Sequence, residues 1–206
     1  MNLQYYRRST CRLCDSSQIE QVLKLTSTPP GNNFLSLDQL KIKENFYPLT
    51  LIFCLDCKHV QLAEVVDPKI LFQDDYKYVS GTSPVFVNHF KEYSKEISEN
   101  YDLEEGSLVL DIGSNDGTCL KFFKNLGHRI LGVDPATNIA SKASSNGIPT
   151  IGDFFSEKLA KEQFANFGPA HLITSHNTCA HVDDLVGIFK GVRYWLHDHG
   201  IFIFEV

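Results

Sequence analysis

No apolar run in this sequence approaches the roughly 18 residues that a membrane-spanning helix needs, so no membrane span is expected. An excess of positive charge is missing too. Nineteen Lys and Arg (19) stand against 25 Asp and Glu, for a formal net charge of −6. A field of that sign does not gather nucleic acid, and no nucleic-acid partner is expected. Residues 1–13 are polar and lack the apolar core of a secretory leader, so the expectation is a soluble, cytoplasmic protein. Internal repeats and low-complexity tracts are also absent. What is present is ordinary for a globular chain. Its 206 residues are 43% hydrophobic and 21% charged, enough for one large core or two small ones.

Four of the 6 cysteines fall into two C-x-x-C pairs, Cys11 with Cys14 and Cys54 with Cys57. In a reducing compartment that spacing suggests metal rather than disulfides. Two tight knuckles can bring four thiolates onto one tetrahedral ion, so a four-cysteine zinc site is expected. A redox pair and four unliganded thiols are the alternatives. A closed shell of four sulfurs leaves no position for chemistry, which makes the ion structural. His59 could stand in for a cysteine, but it falls in an apolar alternation with Val60 and Leu62 and is expected in a strand.

The stretch 108–120 organises the rest of the chain. Residues 108–111 read as a buried parallel strand closed by Asp111. Gly113 and Gly117 bracket a tight turn, and Leu120, Phe123 and Leu126 resume at helical spacing over 117–126. A strand, a glycine turn and a helix start make a cradle for a nucleotide-like ligand. The dinucleotide fingerprint needs a third glycine and carries no acid at its root, whereas Asp111 repels phosphate and suits a cation. That favours S-adenosylmethionine, which has a sulfonium, an ammonium and no phosphate, over NAD. Residues 129–134 read as the next strand, ending in Asp134 roughly 20 positions on, where an acid accepts bonds from ribose hydroxyls.

Further strands are expected at 149–153, 170–175 and 201–206, with helices at 136–145, from Ser156 towards Phe164, and through Leu185, Ile188 and Val192. Repeated βα units imply a parallel, doubly wound sheet that binds its ligand beyond the carboxyl ends of the strands. The residues at those ends are Asp111, Gly113, Asn115, Gly117, Asp134 with Pro135, Asp153 with Phe154 and Phe155, His176 with Asn177, and Glu205. Asp153 and Phe154 suit an adenine, by a carboxylate for its amine and a ring for its face, and one of the two phenylalanines is expected in the core. Ahead of the sheet, Ser83 and Pro84 start a helix with Phe86, Phe90, Tyr93 and Ile97 on one face. Tyr76 and Tyr78 share a face if extended, and either line a pocket or pack between domains.

Taken together, Cys11-x-x-Cys14, Cys54-x-x-Cys57, Tyr76-x-Tyr78-x-Ser80-x-x-Ser83, the loop 113–117 (GSNDG) and His176-Asn177-x-x-Ala180-His181-Val182 resemble one family. It is the C-methyltransferases that act on nucleotide-linked keto-deoxysugars. The resemblance implies a zinc-binding domain at 1–75 and a Rossmann-like class I methyltransferase domain at 76–206. It implies zinc and S-adenosylmethionine as cofactors and a nucleotide-linked sugar as substrate. Catalysis would fall to His181 as the base and to Tyr76, with either Tyr76 or Tyr78 aiding the enolate and either one stacking on the cofactor. Donor binding would fall to Tyr78, Asp111, Gly113, Asn115, Gly117, Asp134, Pro135, Asp153, Phe154 and Asn177. His181 is expected to begin a helix after the fourth strand. The family's C-terminal sugar-nucleotide part has no counterpart, so the sheet is expected to be incomplete, with five parallel strands, and the chain to be a fragment. Two rival functions are an O- or N-methyltransferase and a non-catalytic zinc-stapled module.

Overall fold

The computed structural model describes residues 4–73 and 76–206. The chain divides into two compact units, Met1–Lys77 and Tyr78–Val206. The domain boundary expected after residue 75 falls on a residue outside those described.

The first unit contains β1 (Tyr5–Arg7), β2 (Ile19–Thr28), β3 (Tyr47–Cys54), β4 (Val60–Leu62), β5 (Glu64–Val66) and the short helix α1 (Pro68–Phe72). β2, β3 and β4 form an antiparallel sheet, and β1 pairs with β5. Glu64 ties these together, pairing with Arg7 and accepting from Thr50 N at 2.8 Å. Asp67 caps α1 through Lys69 N, with Pro68 at the first helical position. His59 lies just before β4 rather than inside a strand, because the chain is still leaving the second cysteine knuckle there: Cys54 N donates to its carbonyl.

The second unit runs α2 (Pro84–Asn100), β6 (Leu108–Ile112), α3 (Thr118–Asn125), β7 (Arg129–Val133), α4 (Thr137–Ser145), β8 (Thr150–Ile151), α5 (Glu157–Phe167), β9 (Ala170–His176), α6 (Leu185–Trp195) and β10 (Leu196–Glu205). The five strands are parallel, in the order β10-β9-β6-β7-β8. The chain winds outward from β6 to β8 and returns to β9 on the other side of β6. The switch point therefore lies at the tip of β6.

Strand parity distributes the core. Leu108, Leu110 and Ile112 face the cluster of Leu159, Ile188, Val192 and Trp195 from α5 and α6. Val109 and Leu172 face Phe90, Leu120 and Phe123 from α2 and α3. Phe155 stacks on Trp195 at 6.2 Å and fills the role foreseen for one of the two phenylalanines, while Phe154 stays half-buried.

Three local expectations are corrected. β8 is only two residues long and Asp153 lies beyond it. The turn foreseen at 197–200 sits inside β10 as a register irregularity between Leu196 and Ile201. His181 ends a single 3-10 turn, Cys179–His181, instead of beginning a helix; its N–H donates to Thr178 O at 2.9 Å, and α6 starts later under an Asp184 cap. Among the described residues no helix is long and apolar enough to cross a membrane.

Candidate functional site

In the first unit each cysteine pair sits on a knuckle that closes with a left-handed residue just past the second cysteine, Asp15 at φ 55° and Lys58 at φ 67°. The amides of those residues bond back to Cys11 O and Cys54 O, at 3.0 Å each. The result gathers four sulfurs within 4.8 Å of one another. Cys11 Sγ is 3.5 Å from Cys57 Sγ, and Cys14 Sγ is 3.6 Å from Cys54 Sγ. A disulfide needs about 2.05 Å. Sulfurs at about 2.3 Å from a tetrahedral zinc stand about 3.8 Å apart, so the cluster fits the ion with a small expansion.

Protonation points the same way. Burial pushes the Cys11 thiol up, but the N–H groups of Cys14 and Leu13 and the Gln61 amide favour its thiolate and bring it down to about 6. At Cys57 the His59 N–H favours the thiolate, yet burial and the three neighbouring sulfurs raise it to about 12. Four such groups ionise together only around a cation. Gln61 Nε2, 3.2 Å from Cys11 Sγ, supplies an outer hydrogen bond that the sequence did not flag.

In the second unit the tips of β6 and β7 carry the two acids. Asp111 is 2% exposed, and its Oδ1 is buried without a hydrogen-bond partner. Burial raises its pKa well above the ordinary range, and the neighbouring Asp134 raises it further. Asp134 is held differently. Its Oδ2 accepts from Asn115 N at 2.8 Å and its Oδ1 from Ala136 N at 2.9 Å. Burial raises its pKa, and the two N–H groups partly offset that. Each oxygen keeps capacity for a second bond.

The loop between β6 and α3 is built on three left-handed residues, Gly113 at φ 77°, Asn115 at φ 50° and Gly117 at φ 77°. Close approach adds to the demand at Gly113, where a Cβ would lie 2.1 Å from Thr178 Oγ1. Gly113→Ala should therefore cost about 1–2 kcal/mol for the backbone alone, with the overlap on top. An unfolding free energy from urea titration unchanged to within about 0.5 kcal/mol would contradict this reading of the turn.

Asn115 and Asp116 face the chain rather than open space. Asn115 Oδ1 accepts from Ser80 N at 2.9 Å, and its Nδ2 donates to Tyr78 O at 3.0 Å. Asp116 accepts from Gly81 N and from Thr118 N and Oγ1. The loop thus clamps the segment that carries Tyr78, which is itself 38% exposed. Sequence reading named Tyr78 and Asn115 but not Ser80, Asp116 or Thr178 as their fasteners.

Asp153 is exposed and its Oδ1 accepts from Phe154 N at 2.7 Å; Pro135 and Phe154 are half-buried beside the tips. Asn177, at φ 53°, is turned towards Glu205. His181 is exposed at the end of its 3-10 turn. Tyr76 belongs to the first unit, where its ring meets Phe72 edge-on at 6.0 Å. The structure thus brings Asp111, Gly113, Asn115, Gly117 and Asp134 together with Tyr78, and it places Asn177 and His181 on the chain that leaves β9.

An unpartnered buried carboxylate oxygen, a second carboxylate with lone pairs to spare and a glycine-lined loop match a cationic adenosine derivative carrying free hydroxyls. The residues present fit S-adenosylmethionine.

Residues 87–206 match a family model described as a methyltransferase domain, and residues 11–72 match one described as a zinc binding domain. The C-methyltransferase NovU of Streptomyces niveus is 32% identical over 196 residues, which is 95% of this chain and 46% of that protein. The chain therefore spans less than half the length of this curated relative. Among solved structures, the plantazolicin methyltransferase BpumL with SAH is 14% identical with a TM-score of 0.47, over 57% of this chain and 46% of that one. A S-adenosylmethionine-dependent methyltransferase from Clostridium acetobutylicum is 20% identical with a TM-score of 0.45, over 57% and 49%.

Proposed function

The chain belongs to the methyltransferase-domain family, with a zinc-binding domain ahead of that domain, and from this premise we propose that it serves transfer of a methyl group to a carbon of a nucleotide-linked keto-deoxysugar. The observation that carries the reading is 32% identity to a C-methyltransferase over an alignment that covers 95% of the chain. It is supported by the motif His176-Asn177-x-x-Ala180-His181-Val182.

Bound S-adenosylmethionine supplies the methyl group as an electrophile. In this reading Asp111 and Asp134 hold the donor's cationic end and its ribose. Carbon beside a ketone becomes a nucleophile only when its proton is removed and the enolate oxygen is held. His181 takes that proton on its imidazole. Tyr78, held by Asn115, lines the donor side.

His181→Ala, made at the matching position of a full-length relative, should lower turnover by at least about 100-fold and leave donor affinity within about twofold. Mass spectrometry of keto-sugar nucleotides incubated with enzyme and donor gives the readout. Turnover close to wild type would remove His181 from the reaction. A methyl group found on oxygen or nitrogen would move the acceptor to another class.

A further inference from the structure

Three side chains outside the donor cradle and the cysteine cluster converge at the end of the sheet. His89 comes from α2, His176 from the last residue of β9 and Glu205 from the last residue of β10. One ligand atom from each lies within 4.8 Å of the others. His89 Nε2 is 3.3 Å from Glu205 Oε2, and His176 Nδ1 is 3.5 Å from Glu205 Oε1. Donors held at about 2.0–2.2 Å from a tetrahedral ion stand about 3.3–3.6 Å apart. Two imidazoles and a carboxylate are also a donor set used by zinc where a fourth position stays open.

His176 gives an independent sign. Its side chain is only 8% exposed, and its Nδ1 is buried with no hydrogen-bond partner. Glu205 Oε1 stands 3.5 Å from it, near enough to share an ion and too far for a well-formed hydrogen bond. The opposite nitrogen is engaged instead: Nε2 lies 2.9 Å from Thr174 Oγ1, which shares a second bond of 2.8 Å with the Tyr93 hydroxyl. In the tautomer that places its N–H at Nε2, towards Thr174, Nδ1 has its lone pair on the Glu205 side, as a metal ligand requires. Phe90 and Tyr93 meet the ring edge-on at 4.9 and 4.8 Å, so it cannot swing away. Glu205 is oriented in turn by Asn177 Nδ2, 3.2 Å from its Oε1. Outer bonds that fix tautomer and carboxylate angle are what a metal ligand set carries. His89 and Glu205 are 45% and 39% exposed at their side chains, which leaves a path for entry.

We propose that His89 Nε2, His176 Nδ1 and the Glu205 carboxylate bind a divalent ion of the zinc type, with water in the fourth position. This ion is separate from the one held by the four cysteines. The proposal stands on these residues and does not depend on the methyl acceptor.

Zinc is the probe. The chain is loaded with zinc, freed of loose metal by gel filtration and analysed for metal per chain by plasma mass spectrometry. Wild type should carry two equivalents. His89→Ala and Glu205→Gln, both at partly exposed side chains, should each carry one fewer while far-ultraviolet circular dichroism stays unchanged. No more than one equivalent in wild type, or a second that survives in both folded variants, would overturn the site. Should either variant misfold, His89→Gln replaces it and is read by the same stoichiometry.

Discussion

Serine in place of Cys54 is expected to strip one zinc ion from the chain and unfold the first unit while the second stays folded. The reason is how little else holds that unit. Its buried apolar residues, among those described, are Cys11, Tyr47, Ile52, Cys54 and Ala63, and two of the five are themselves ligands of the cluster. β2 turns Val22, Leu23 and Leu25 outward, so the antiparallel sheet has little to pack against. A core of that size does not offset the chain entropy of a unit this long without a staple.

Zinc bound to four thiolates supplies about 10–16 kcal/mol of apparent binding free energy at neutral pH, and that energy is folding energy. Cys54 is buried at the end of β3, where Ile19 pairs with it, so losing its sulfur opens the sheet as well as the cluster. Metal analysis and limited proteolysis check the expectation together. Zinc should fall by one equivalent, and new cleavage should appear within 4–73 but not within 84–205. Full zinc content, or a first unit as resistant as wild type, would mean that the sheet holds itself.

Asp111→Asn should make the free chain more stable and its donor affinity much poorer. A buried oxygen with no partner costs about 1–3 kcal/mol, and more when it is charged. The carboxyl responds to burial by holding its proton, so its folded pKa lies well above its unfolded value of about 3.9. The sign follows. Between those two values the folded chain binds the extra proton, so stability falls as pH rises through that window and stays low above it. Asparagine removes the charge, so the variant should lose this pH dependence and gain about 1–3 kcal/mol above it. Urea unfolding across pH reads both. Equal stability of the two chains at every pH would show that something else satisfies Asp111.

Much of the second unit was legible because its information is local. The unbroken apolar run at 108–110 announced a strand covered on both faces, and Gly113 and Gly117 announced left-handed turns that the chain does adopt. The cysteine pairs gave their convergence through spacing alone. What stayed hidden was set by partners far along the chain. Nothing near Asn115 says that its amide will bridge Tyr78 and Ser80, since those bonds close over a gap of more than thirty residues. His89, His176 and Glu205 likewise sit on three elements and meet only because β9 lies between β6 and β10. His197 to Gly200 read as a turn because its residues are polar. The strand takes them up as a bulge against β9, with Leu196 opposite Ala170 and Ile201 already opposite Leu172.

Calorimetric titration of the chain with S-adenosylmethionine at several pH values tests the account most directly. An ionised Asp111 is the form that receives a cationic donor, so the account predicts one bound equivalent with affinity that rises with pH, and a loss of at least about tenfold in Asp111→Asn. Donor binding that is independent of pH and untouched by that substitution would place the site elsewhere, and a complete absence of binding would contradict the cradle itself.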